Sequence, residues 1–361
     1  MRILVLVFVV ITLGTHCSFA NPQQALQSFG DHQVFIKPEI LKYARPVYPL
    51  EAHRDESAAL VEVAFMVDSD GKPYELTVVQ SNDSVFNDAA LQAVRKYKFN
   101  PASLDSNAVD SRFTMGLLFM MDGQYNYVPK SDARRLKKIQ KRISSDNADQ
   151  NAIEKDIFWL IHKKSTTYCG EAHAYFALQQ LAQSVQNTEL EITALRALRY
   201  YAPYRDQSSK SDDRWHCFVE PLNQSILIRL LTLLFTQERH AEAFRILVDL
   251  DNQNSQSRSQ LLIESMPQHF FDMSQLAPSS KQFEIAGSGF QFIEVLGRKL
   301  ELQQKDEGDL ESAKLRCDAG FMQVELTEST EIEIPPAFGR CQVQVIGEAG
   351  TRFELTESSI R

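Results

Sequence analysis

The sequence predicts a multidomain chain of three blocks: a small α+β module, an all-α block of helical hairpins, and a small all-β block of sandwich type. Two observations carry this. The hydrophobic period is two residues near the N-terminus, helical through the middle, and two again toward the C-terminus. At 361 residues the chain also exceeds what one hydrophobic core usually organises. The boundaries read as 38–128, 130–275 and 280–361, after an export signal over 1–20.

The opening, MRILVLVFVVITLGTHCSFANP, has one basic residue, an apolar run from Ile3 to Leu13 and the small-residue site Ser18-Phe19-Ala20. This is the pattern of a secretory signal cut after Ala20. The alternative is a retained anchor facing the periplasm, because the apolar run and its flank approach the roughly 20 residues of a spanning helix. N-terminal sequencing of the exported protein separates the two. Ile226–Phe235, the next most apolar run, is interrupted by Arg229 and reads as a buried helix. A net charge of -9 argues against a nucleic-acid partner.

In the first block, Ala59–Val67 alternates Val61, Val63, Phe65 and Val67 on one face, and Tyr74–Gln80 follows as a second strand. Between them lies Asp68-Ser69-Asp70-Gly71, which opens like a calcium loop. With Gly71 at the sixth position of such a loop, however, Met66 and Thr77 fall where the first and last ligands belong. Asp-Gly between alternating strands is a hairpin turn, and no metal is expected there. Next, Asn82–Ser84 supply cap candidates for a helix carrying Phe86, Ala90, Val94 and Tyr97, with Pro101 beyond its end. Ser111–Met121 is a third strand.

The second block begins with KSDARRLKKIQKR, seven basic residues opposed only by Asp132. Charge runs on helices usually face water, so this reads as a solvated connecting helix, the other reading being a patch for an anionic surface or partner. Further helices are expected at Glu171–Gln186, Glu189–Tyr201, Val219–Thr236 and Ala241–Asp251, in pairs with short connections. In the third block, FEIAG, FQFIEVLG, KLELQ, AKLRCD, FMQVEL, EIEIPP, CQVQVIG and RFELTE are short alternating runs of an antiparallel sandwich or small barrel.

Setting Cys17 aside with the signal leaves Cys169, Cys217, Cys317 and Cys341. Pairing within blocks joins Cys169 to Cys217 and Cys317 to Cys341, as an oxidising compartment allows. None of the four has the close Cys or His spacing of a zinc site. The sequence has no HExxH, GxSxG, Walker loop or GxGxxG. The one nucleophile candidate is Cys169 beside His173 or His216, and a disulfide is the stronger reading of that cysteine. No enzymatic activity and no cofactor are expected.

The first block carries a further pattern: Pro46-Val47-Tyr48-Pro49 with Ala52, Val61-x-Val63-x-Phe65-x-Val67-Asp68, Asp70-Gly71, Val78-Val79-x-Ser81, Phe86-x-x-Ala89-Ala90-Leu91-x-Ala93-Val94, Tyr97-x-Phe99-x-Pro101-Ala102 and Phe119. This resembles the C-terminal domain of TonB, the periplasmic, receptor-contacting part of the energy transducer of Gram-negative bacteria. The resemblance implies that the strand after the helix is an edge to which a receptor peptide adds by main-chain pairing. That edge is Ser111–Met121, with Arg112, Thr114, Gly116 and Leu118 along it and Arg45, Pro46, Tyr48 and Pro49 beside it. The partners it implies are envelope proteins, TonB-dependent receptors or other components of the TonB system among them. Leu118 and Met120 make the strand apolar on its second face, the pattern of a strand that the helical block covers. Arg45 stands where dedicated transducers carry Gln, and Tyr97 where Trp is common. Only about 25 residues separate Ala20 from Arg45, under roughly 90 Å even when fully extended. A periplasmic interaction protein, accessory to TonB-linked transport, therefore fits better than an anchored transducer.

Overall fold

The computed structural model describes residues 34–54, 57–120, 128–145, 149–163, 167–201, 220–252, 280–306 and 308–358. The signal segment and Cys217 lie outside them, as do His216 and Met121.

The first block begins with β1 (Phe35–Ile36), β2 (Glu39–Lys42) and the short helix α1 (Leu50–Arg54). Then come β3 (Ala59–Val67), β4 (Pro73–Ser81), helix α2 (Asn87–Val94), three short strands β5 (Lys98–Asn100), β6 (Ala102–Leu104) and β7 (Asn107–Val109), and β8 (Ser111–Phe119). The central antiparallel sheet has the order β4-β3-β8. Its inner face presents Val61, Val63, Phe65, Val67, Leu117 and Phe119 to Phe86, Ala90, Ala93, Val94 and Phe99, which share one core. Every residue of β3 is buried, so both faces of the sheet are covered.

The Asp-Gly turn is scaffold. The Asp68 carboxylate accepts from the backbone N–H groups of Asp70 (3.0 Å) and Lys72 (2.8 Å), closing the turn on itself. Gly71 has φ +78°, and Phe99 N–H donates to its carbonyl at 3.0 Å, tying the turn to β5. Asp83 caps the one-turn 3-10 helix Ser84–Phe86 by accepting from Val85 N–H. Asn82, a cap candidate in the sequence, instead accepts from Leu60 N–H at 2.8 Å. On β4 the register slips opposite Ala64–Met66, and Glu75 takes φ 51° in the resulting bulge.

The helices are α3 (Lys130–Ile143), α4 (Gln150–His162), α5 (Tyr168–Ser184), α6 (Thr188–Tyr201), α7 (Glu220–Thr236) and α8 (His240–Asn252). Helix α4 adds to the helices expected from the sequence: Ile153, Ile157, Leu160 and Ile161 bury at helical spacing, and Asp149 caps it by accepting from Ala152 N–H. Their shared core includes Leu136, Ile157, Leu178, Leu198, Leu230 and Phe244, and it reaches Leu60, with Leu118 and Met120 of the first block packed against it. No described helix is long and apolar enough to cross a membrane.

The last block contains β9 (Ser280–Glu284), β10 (Phe290–Val295), β11 (Lys299–Gln304), β12 (Leu310–Cys317), β13 (Gly320–Glu325), β14 (Ser329–Glu333), β15 (Cys341–Gly347) and β16 (Arg352–Glu357). They form two four-stranded antiparallel sheets, β10-β15-β12-β13 and β14-β11-β16-β9, whose inner faces share one core. Cys317 and Cys341 sit directly opposite each other on β12 and β15 and are disulfide-bonded. Because the bond closes a loop of 24 residues, replacing both cysteines by Ala should cost about 2–4 kcal/mol, read from the urea midpoint. Cys169 is also disulfide-bonded.

Candidate peptide-binding edge

Strand β8 pairs only with β3 among the described strands, so its other side is a sheet edge. Thr114 stands opposite Ala64, and Gly116 opposite Glu62. With Arg112 and Leu118, these residues occupy one face at a period of two, and that is the outer face of the sheet. All four are half-buried. Arg112 donates from Nη1 to Glu294 at 2.8 Å and from Nε to Asp318 at 3.0 Å, both in the last block. Burial opposes its charge, but Glu294 and Asp318 together carry its pKa above the ordinary value. Leu118 packs on the helical core. Arg112 and Leu118 therefore engage the other blocks, and what the edge offers is main chain.

Beside the edge, Tyr48 stands edge-on to Phe86 (5.2 Å between ring centres) and to Phe119 (6.3 Å), while its hydroxyl donates to the Ser57 carbonyl. Burial, then the charge of Asp83, push its pKa to about 12. The rigid Pro46-Val47-Tyr48-Pro49 entry is thus anchored by the ring, and the Pro49 carbonyl accepts from His53 N–H to start α1. Arg45 and Val47 are exposed, with Pro46 and Pro49 half-buried.

The family of the Gram-negative bacterial TonB protein C-terminal matches residues 44–120. Residues 44–120 carry the TonB C-terminal pattern. Among solved structures, the chain is similar to the solution NMR structure of the Pseudomonas aeruginosa TonB C-terminal domain. That match has 25% identity over 24% of this chain and 88% of that one, with a TM-score of 0.22. Comparison with curated proteins gives no match. The TonB C-terminal domain is a non-enzymatic interaction domain of envelope proteins.

No local pattern in the sequence marks the groups outside the TonB-C segment that clasp it. Glu62 on its outer face pairs with Arg199 of α6 at 2.9 Å. The Glu75 carboxylate takes Lys314 at 2.7 Å, while the fully buried Arg316 donates to the Glu75 carbonyl and, at 3.0 Å, to Thr77. Burial lowers the Arg316 pKa to about 10, so it stays charged at neutral pH. Between the three blocks lies a cavity of about 980 Å³. Much of its charged lining is spent on internal pairs: Arg196 with Glu242 (2.6 Å), Arg199 with Glu62 (2.9 Å) and Arg245 with Glu294 (3.0 Å). Among the described residues β8 has no second ladder partner, so its edge, rather than this cavity, offers main-chain donors and acceptors of the kind a peptide needs.

A second tie joins the TonB-C segment to the helices. The Asn82 amide donates to Glu171, and the Asn82 carbonyl lies 3.2 Å from His162 Nδ1. Burial raises the Glu171 pKa from 4.5 to about 8, against a lowering by Tyr201 and Asn82. Between these two values the folded protein binds a proton that the unfolded chain has released. The contribution is full below about pH 4.5 and lost as pH rises through about 8. Stability should therefore fall across that window by up to about 1.4 kcal/mol per pH unit from this group. Glu171→Gln should flatten that part of the profile, and parallel urea-midpoint profiles for the two proteins would refute the assignment.

Proposed function

We propose that this chain is a periplasmic, non-catalytic interaction protein, accessory to TonB-linked outer-membrane transport. Its TonB-C segment receives an extended peptide from an envelope partner at β8 through main-chain pairing. The observation that carries this reading is that β8, one of the two edge strands of the central sheet in the matching segment, is paired on one side only among the described strands. Strand addition draws affinity from backbone groups, so the engagement of the Arg112 and Leu118 side chains by the other blocks leaves it intact. With Arg112 and Leu118 engaged at the two ends of the strand, the accessible stretch centres on Thr114–Gly116. The disulfide at Cys169 supports the non-catalytic reading, because it removes the thiol that a nucleophile would need.

Proline cannot donate to a ladder, so Thr114→Pro or Gly116→Pro should abolish pull-down of envelope partners while far-UV circular dichroism stays native. Unchanged pull-down by a natively folded proline variant would move the interaction to another surface.

A further inference from the structure

Helices α3 and α4 form a hairpin whose outer face differs in charge from the rest of this acidic chain. On α3, Lys130, Arg134, Lys137 and Lys141 recur at spacings that keep them on one face, with Lys138 beside them. Asp132, Leu136 and Ile139 are buried on the opposite side, which fixes the basic row outward. All five cations are exposed and, among the described residues, have no ion-pair partner. The row runs about 16 Å along the helix.

The neighbouring helix extends the same face. Ile153, Ile157, Leu160 and Ile161 of α4 point into the core, so Lys155 and Trp159, one turn apart, point out. Both are exposed, Trp159 to 49%. The Arg135 guanidinium sits 4.0 Å over the Trp159 ring at the seam between the helices.

The hairpin's described carboxylates do not neutralise this face. Asp132 is buried against Lys163 at 2.6 Å, and Asp156 at the seam takes Arg135 (3.2 Å) and Arg142 (2.6 Å). Asp149 caps α4 at its end, and Glu154 lies on the flank of α4 away from α3. Six unpaired cations therefore share one outward face with a half-exposed indole.

We propose that this face docks on an anionic phospholipid bilayer. Straight rows of Lys and Arg are attracted to the negative surface potential of such a membrane, and Trp prefers its interfacial layer. The two outward helix faces lie side by side, which suits an extended surface better than a groove ligand. The contact is peripheral: it needs no spanning helix and is independent of the proposed β8 interaction.

The test is flotation of the full chain with vesicles of phosphatidylcholine alone and with vesicles about one-third phosphatidylglycerol. Partition onto the anionic vesicles alone is expected, falling as salt shortens the screening length. A triple variant, Lys137→Gln with Lys138→Gln and Lys141→Gln, should lose affinity by about 100-fold, at roughly fivefold per basic residue near the surface. A control with the same net charge, Lys42→Gln with Lys96→Gln and Lys98→Gln, should retain it, since these exposed lysines lie on the first block, away from the hairpin. Absence of flotation, or equal losses in the two triple variants, would overturn the proposal. So would retention on a soluble polyanion without vesicle binding.

Discussion

Replacing Arg112 by Ala should lower the unfolding free energy by about 3 kcal/mol, measured as a shift of the urea midpoint. The side chain is 15% exposed, and its partners Glu294 and Asp318 are 9% and 12% exposed, so the three charges meet with little water between them. Removing one member of a buried pair costs about 3–5 kcal/mol, because the partner stays buried without compensation. The lower end applies here. Glu294 keeps Arg245 at 3.0 Å and the Gln342 amide at 2.8 Å, while Asp318 keeps Arg340 at 3.3 Å. A loss below about 1 kcal/mol, the range of exposed pairs, would mean that the last block does not close on β8 in solution.

Gly71→Ala should cost roughly 3 kcal/mol, for two reasons that a second glycine separates. At φ +78° any L side chain is strained, by about 1 kcal/mol. A Cβ would also stand 2.0 Å from the Phe99 carbonyl oxygen, and a backbone atom cannot rotate away. The turn would have to withdraw from β5 and give up the hydrogen bond from Phe99 N–H. Gly350, at φ +91° with nothing within 4 Å of its Cβ position, isolates the conformational part. Gly350→Ala should cost about 1 kcal/mol. Equal midpoint shifts for the two variants would show that contact with Phe99 does not hold the turn.

These two cases mark what the sequence could and could not tell. Local chemistry was legible. Strand Ala59–Val67 lies at the predicted residues, and the Asp-Gly turn connects β3 to β4 as its spacing implies. Cys317 faces Cys341 across paired strands whose alternation is plain in the sequence. Helix α4 was legible too, because Ile153, Ile157, Leu160 and Ile161 recur at helical spacing after the charge run of α3.

The contacts of the candidate edge were not legible. Alternation assigns Arg112, Thr114, Gly116 and Leu118 to one face but says nothing about what lies over it. Arg112 meets Glu294 and Asp318 across separations of 182 and 206 residues, with no local signal to join them. The one hint was the apolar character of Leu118 and Met120, both of which pack on the helical core.

Hydrogen exchange of the β8 amides, with and without a captured envelope partner, shows residue by residue whether a strand adds at this edge. Added pairing should slow exchange within 111–119 at alternate amides, those directed away from β3, and leave the amides already bonded to β3 unchanged. Protection elsewhere, with β8 exchanging at its free rate, would contradict strand addition at this edge.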